Sequence, residues 1–234
     1  MDKIKELEDI LKSVGPQNIW HPVVVNGAKL LANGIGETAD GIRDRNGVLD
    51  FAGKTVVDLG CNFGYYSFFV RNAGASDVLG IDWDERIIRG CEILKALHDV
   101  DRVDFRPLDI TKAKDVGKFD IGMMIDIIGR DKIRTGTAKD FLNSLERMSQ
   151  KEMLLTLRPR YHIEKKLGTD VQRLRENYPV DYIRNSYFYM VDYVHDRFKA
   201  AWEMHILSGQ NDPEGTKQTL HFIKRKNRRR KVKT

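Results

Sequence analysis

Two cysteines, six prolines and no apolar run approaching twenty residues leave this 234-residue sequence without disulfide staples or a membrane-spanning helix. Cys61 and Cys91 are too few for a disulfide framework, and no second pair stands at zinc-ligand spacing. A reducing compartment is the simple expectation, and the cytoplasm its usual form. A bilayer helix needs about twenty apolar residues, so no membrane partner is expected. The opening MDKIKELEDILK is charged from its second residue and does not read as a secretory signal. The six histidines form neither an H-x-x-x-H nor an H-E-x-x-H pattern, so no catalytic metal is expected.

What is present is enough for one domain with embellishments. Hydrophobic residues make up 41% of the chain, which suits a sizeable single core. The formal charge of +6 is an end effect. Residues 224–234 contain eight lysines and arginines, and without them thirty-two cationic residues face thirty-four acids. A like-charge block repels itself, so the tail is read either as solvated and disordered or as an arm that contacts RNA phosphates.

The first fifty residues read as a cap. Ile4, Leu7, Ile10, Leu11 and Val14 fall at helical spacing and end at Gly15-Pro16. WHPVVV and NGAKLLANGIG follow as extended segments joined by a turn. From residue 54 buried strands alternate with helices: KTVVDLG, DVLGID, RVDFRPLD, FDIGMMIDII and KEMLLTLRP as strands, with YYSFFVRNAG, DERIIRGCEILKALHD and AKDFLNSLERMSQ as helices. That rhythm is the signature of an α/β fold with a mostly parallel sheet covered on both faces. The expected main domain is 51–223. After Pro159 the rhythm breaks into an insert over about 160–200, mostly helical in character and rich in tyrosine and charge, a candidate substrate lid. AAWEMHILSG and TKQTLHFIKRK then read as a C-terminal antiparallel hairpin around the turn-rich QNDPEG.

In VVDLGCNFGYY a strand delivers Asp58, then Gly60, Cys61, Asn62 and Gly64, then a helix. Glycine lets the backbone approach a ligand, and asparagine best tolerates left-handed geometry after it. This spacing departs from the G-x-G-x-x-G of dinucleotide folds. An acid at Asp58 suits a ligand with an ammonium group and no phosphate, which describes S-adenosylmethionine. Asp82, followed by Trp83, closes the second strand 22 residues after Gly60, where a carboxylate accepts from ribose hydroxyls. Asp109 and the backbone of Ile110 close the third, placed for an adenine amino group. Any one of these acids alone reads equally as a solvated acid or a helix cap.

These residues resemble the class I S-adenosylmethionine-dependent methyltransferases, in which D-x-G-x-G-x-G is followed by acids closing the second and third strands. The likeness covers about residues 54–159 and departs at Asn62, which replaces the middle glycine. It implies a Rossmann-like, seven-stranded sheet with the last strand antiparallel. WHPVVVNGAKLLANGIG followed by DFAGKTVVDLGCNFGYYSF is also similar to the family related to the transferases of the tRNA wobble uridine, some of which transfer a carboxymethyl group from carboxy-S-adenosylmethionine. The resemblance implies methyl transfer to an oxygen or nitrogen of a small molecule or RNA. The alternatives are tRNA carboxymethyl transfer and a non-catalytic S-adenosylmethionine-binding protein.

Methyl transfer needs alignment, a dry pocket and sometimes a base. Asp126, beyond the fourth strand, and His162, in the cluster Arg158, Arg160, Tyr161 and His162, are the candidate catalytic residues. Each has a plain structural reading as well, Asp126 as a turn cap and the cluster as a polar rim. Trp20 and His21 read as packing of the cap over the cofactor. Tyr182, Tyr189 and Tyr193 read as core more readily than as base-stacking residues. No N-P-P-Y-like run is present, which argues against transfer to an exocyclic base amine.

Overall fold

The computed structural model describes residues 2–25, 27, 29–36, 49–208 and 217–226. Alternation along each buried strand divides its side chains between two cores. In β3 (Thr55–Leu59), Val56 faces one core while Val57 and Leu59 face the other. The neighbouring strands β4 (Asp77–Asp82), β5 (Val103–Pro107), β6 (Phe119–Met124) and β7 (Ser149–Leu157) run parallel to it. The hairpin β11 (Trp202–Ser208) and β12 (Gln218–Lys224) completes seven strands. β12 inserts between β7 and β11, antiparallel to both, and the order is β11-β12-β7-β6-β3-β4-β5. Strand order reverses at β3 and β6. In open α/β sheets that switch point, at the carboxyl ends, is where ligands bind.

Helices α2 (Tyr65–Asn72) and α3 (Glu85–His98) contribute to one core, and α5 (Ala138–Met148) covers the other, with the short α4 (Arg130–Arg134) before it. The amino-terminal α1 (Lys3–Val14) buries Leu7, Leu11 and Val14 in the first core and rests on α3. Gly90 of α3 allows this approach, since a Cβ there would crowd Phe63 and come within 3.5 Å of Leu7. The strands β1 (Val23–Val25) and β2 (Lys29–Ala32) form a separate antiparallel hairpin.

The insert is largely helical, and it adds a small sheet that the sequence reading lacks. It holds a three-stranded antiparallel sheet, β8 (Arg160–His162), β10 (Tyr187–Tyr189) and β9 (Ile183–Arg184), with β10 in the middle. A five-residue π turn (Ile163–Leu167) and helices α6 (Val171–Asn177) and α7 (Met190–Phe198) accompany it. The physical reason lies in Asn185 and Ser186, both at positive φ, which form a two-residue hairpin turn ahead of Tyr187-Phe188-Tyr189. Tyr178, Phe188 and Tyr193 are buried against one another, so these tyrosines are core. Tyr182 also packs on Tyr193, whereas Tyr189 lies under the Arg184 guanidinium.

The basic segment starts within the fold. Lys224 ends β12, and Arg225 donates its backbone N–H to Ala201 O and its Nε–H to Lys199 O. Residues 227–234 lie outside the described residues, and with them most of the expected arm. Among the described residues no helix is long and apolar enough to cross a membrane.

Candidate active site

The glycine loop leaves β3 at the switch point. Gly60 sits at φ 80 with Ile127 Cδ1 where a Cβ would lie, so only glycine fits. The N–H groups of Gly60 and Cys61 both donate to Ile81 O, and that of Gly64 to Cys61 O. Asn62 takes the left-handed conformation expected of it, with φ 47. Its side chain also holds the cap: Oδ1 accepts from Trp20 N–H at 3.1 Å and Nδ2 donates to Asn18 O at 2.8 Å. From the other side Ile35 and Gly36 donate to Ile19 O and Trp20 O, and Gly34 has the His21 backbone where a side chain would begin. Trp20 and His21 are thereby held over the loop. We expect Asn62→Gly to keep the turn while releasing Trp20. Proteolysis of the amino-terminal segment should accelerate, and donor affinity should fall about tenfold, as expected from losing two hydrogen bonds of about 1 kcal/mol each with partial compensation by water. Unchanged proteolysis would mean that the tie is dispensable.

The acids differ in environment. Asp58 is fully buried and accepts from Ser67 Oγ at 2.7 Å; burial pushes its carboxyl up to about 6, against the Ser67 bond, which lowers it. Asp82 is raised by burial too, and accepts from the N–H groups of Asn62 and Asp84 at 3.2 Å. Asp109 is exposed and lowered, first by the Thr111 hydroxyl at 2.7 Å, with Lys112 at 3.1 Å. Leu108 N–H donates to Asp82 O, which ties the ends of β4 and β5 together. Trp83 is 77% exposed beside Asp82, while Ile110 is buried with its Cδ1 near Gly60. Cys61 and Cys91 turn inward, and each sulfur donates to Asn62 O; burial raises both thiols.

Two cavities meet at Asp126. The smaller, about 20 Å³, is lined by His21, Asp58, Gly60, Asn62, Tyr66 and Asp126, with Ile127 over Gly60. That is room for one water, so entry of a larger group requires Ile127 to turn aside. The larger, about 580 Å³, lies between the ends of β6 and β7 and the insert, and includes Arg158, Arg160, Tyr161 and His162. Trp20 and Asp126 line both. Asp126 has φ 60. Its N–H donates to Thr156 Oγ1 at 2.7 Å, and its Oδ1 accepts from Thr156 Oγ1 at 2.8 Å and from Lys217 Nζ at 3.0 Å. Oδ2 is buried with no hydrogen-bond partner, as is His21 Nδ1. An unsatisfied buried carboxylate oxygen costs about 1–3 kcal/mol, a burden that folds retain at working sites.

The sequence therefore placed the loop, Asp58, Asp82 and Asp126 around one switch point, and Asp109, Trp83 and His162 at its margins. It missed Thr156 and Lys217, which hold Asp126. Lys217 precedes β12, and only the insertion of that strand beside β7 brings it there. His162 caps the π turn, its Nδ1 accepting from Lys165 N–H at 3.3 Å.

The topology is that of the Rossmann-like methyltransferases. The chain belongs to the family described as methyltransferase domain, whose model matches residues 50–225. It is 36% identical over 73 residues to the ribosomal protein L11 methyltransferase of Porphyromonas gingivalis and 33% identical over 73 residues to the tRNA U34 carboxymethyltransferase of Colwellia psychrerythraea. Each match covers 31% of this chain but only 25% and 23% of those proteins. Among solved structures, the N-terminal domain of EvdMO1, crystallised with SAH and D-fucose, superposes with a TM-score of 0.65 at 16% identity, over 96% of this chain and 98% of that one. At that identity the likeness is one of fold.

Proposed function

We propose that this chain transfers a methyl group from S-adenosylmethionine to a hydroxyl or nitrogen of an acceptor seated in the larger cavity. The observation that carries this reading is Asp126 at the switch point, lining both cavities with a buried, unpartnered Oδ2. S-adenosylmethionine supplies an electrophilic methyl on its sulfonium and departs as S-adenosylhomocysteine. Asp58 holds the donor's ammonium, directly or through water, and the ribose hydroxyls donate to Asp82. Trp83, Asp109 and Ile110 flank the adenine. Gly60, Cys61, Asn62 and Gly64 shape the loop that carries the amino-acid end.

Asp126 accepts the hydrogen bond of the attacking group on Oδ2 and takes its proton as the oxygen or nitrogen bonds to the methyl carbon and the C–S pair returns to sulfur. Thr156 and Lys217 fix the other oxygen and so orient the carboxylate. Trp20 and His21 cover the junction and exclude water. His162 serves acceptor binding and not proton removal: with Nδ1 engaged as an acceptor, the neutral ring carries its proton on Nε2. Free cysteines at positions 61 and 91 suit the cytoplasm.

Carboxy-S-adenosylmethionine as donor, with a tRNA wobble uridine as acceptor, is the second reading, favoured by the cationic Lys217 at the junction. Mass spectrometry of ligand released from the purified protein tests both. S-adenosylmethionine or its demethylated product is expected, and recovery of the carboxylated form would favour the second reading. NAD alone, with no affinity for S-adenosylmethionine, would contradict both.

A further inference from the structure

The charge of the larger cavity is at odds with that of the body around it. Residues 1–223 carry thirty-two lysines and arginines against thirty-four acids. Six of those cations, Arg130, Arg158, Arg160, Lys165, Lys166 and Lys217, line this one cavity, and among the described residues the only acid there is Asp126, already paired with Lys217. Arg130, Lys165 and Lys166 make no ion pair among the described residues. The cations arrive from separate elements: Arg130 opens α4, Lys165 and Lys166 lie on the π turn, Arg158 follows β7 and Arg160 opens β8. The Arg160 guanidinium lies 4.7 Å from the Tyr187 ring centroid, and the His162 ring packs edge-on against the same tyrosine at 5.1 Å. Tyr187 thus orders two of the polar groups along one wall. Collecting like charges in one concavity raises the free energy of the empty site, and a bound anion relieves it.

Building on the methyltransferase reading above, we propose that the acceptor is a small phosphorylated compound. Its phosphate sits among Arg130, Arg158, Arg160, Lys165 and Lys166, and its reacting hydroxyl faces Asp126. A phosphomonoester carries nearly two negative charges at neutral pH and three acceptor oxygens, which matches several cations better than a carboxylate does. Guanidiniums supply the bidentate contacts, lysines the point charge. The cavity's 580 Å³ falls within the range of small-molecule sites. A long polyanion would need its cations in a track across the surface, and the body outside the cavity is acidic.

Lys165 and Lys166 are exposed, so Lys165→Glu with Lys166→Glu leaves the core untouched. Binding of inorganic phosphate, ribose 5-phosphate and ribose is measured calorimetrically on wild type and on this double variant, with S-adenosylhomocysteine as a separate titrant. The expected result is that both phosphates bind wild type while ribose does not, that the reversal weakens both at least tenfold, and that S-adenosylhomocysteine affinity is unchanged. Phosphates that bind no better than ribose, or that ignore the reversal, overturn the proposal. So does transfer of labelled methyl groups to bulk tRNA with none to the phosphorylated metabolite fraction. Failure of wild type to bind S-adenosylhomocysteine counts instead against the donor reading.

Discussion

Asp126→Asn should lower the initial rate of label transfer from methyl-labelled S-adenosylmethionine into a metabolite extract by about 10²- to 10⁴-fold, the usual worth of a positioned general base. Asparagine is the informative choice because residue 126 has φ 60, where asparagine and aspartate are tolerated and alanine is strained. The variant keeps an oxygen for Thr156 and Lys217 and loses the negative charge, with it the ion pair to Lys217 and the ability to take a proton. S-adenosylhomocysteine should bind it within about twofold of wild type, since no part of the donor's recognition passes through the lost charge. A rate within threefold of wild type would reduce Asp126 to an anchor for Lys217, and would leave a donor-binding protein without turnover as the better description.

Asp58→Asn should move stability and binding in opposite directions. The carboxyl is raised by burial to about 6 from an ordinary 3.8, so the folded protein holds that proton more tightly than the unfolded chain. The stabilisation this represents is complete below pH 3.8 and is lost as pH rises through 6; above that the ionised group disfavours folding by on the order of 2–3 kcal/mol. The amide carries no such penalty and still accepts from Ser67. At pH 7.5 the variant's Tm should therefore rise by several degrees. Affinity for S-adenosylmethionine should fall about 10- to 100-fold, because a charge-assisted bond to the ammonium becomes a neutral one. Wild-type affinity should also weaken as pH falls through 6, and the variant's should not. A lower Tm together with unchanged affinity would mean that Asp58 serves the core alone.

Much of this site was legible in the sequence because the chemistry follows the strand ends. The continuously apolar, buried runs of β3 and β4 and the glycines after β3 fix where Asp58, Asn62 and Asp82 stand without knowledge of any distant residue. Asn62 was legible as a backbone residue and not as a side chain: its bonds to Trp20 and Asn18 cross more than forty positions. Lys217 is 91 residues from Asp126 and reaches it only because β12 inserts beside β7. The six cations are scattered among forty, and they converge because α4, the end of β7, the insert and the start of β12 meet at one face. The insert's sheet hides behind helix-compatible spacing, and its one local signal, Asn185-Ser186, lacks the glycine that usually marks such a turn.

We propose an adenosyl sulfonium donor at the glycine loop. Trp83, exposed at the end of β4 next to Asp82, is a fluorophore placed to report it. Titration of S-adenosylhomocysteine into the wild-type protein should quench Trp83 in a saturable, one-site manner that is lost in Trp83→Phe, and NAD should leave the signal unchanged. Saturable quenching by NAD, with none by S-adenosylhomocysteine, would contradict the account.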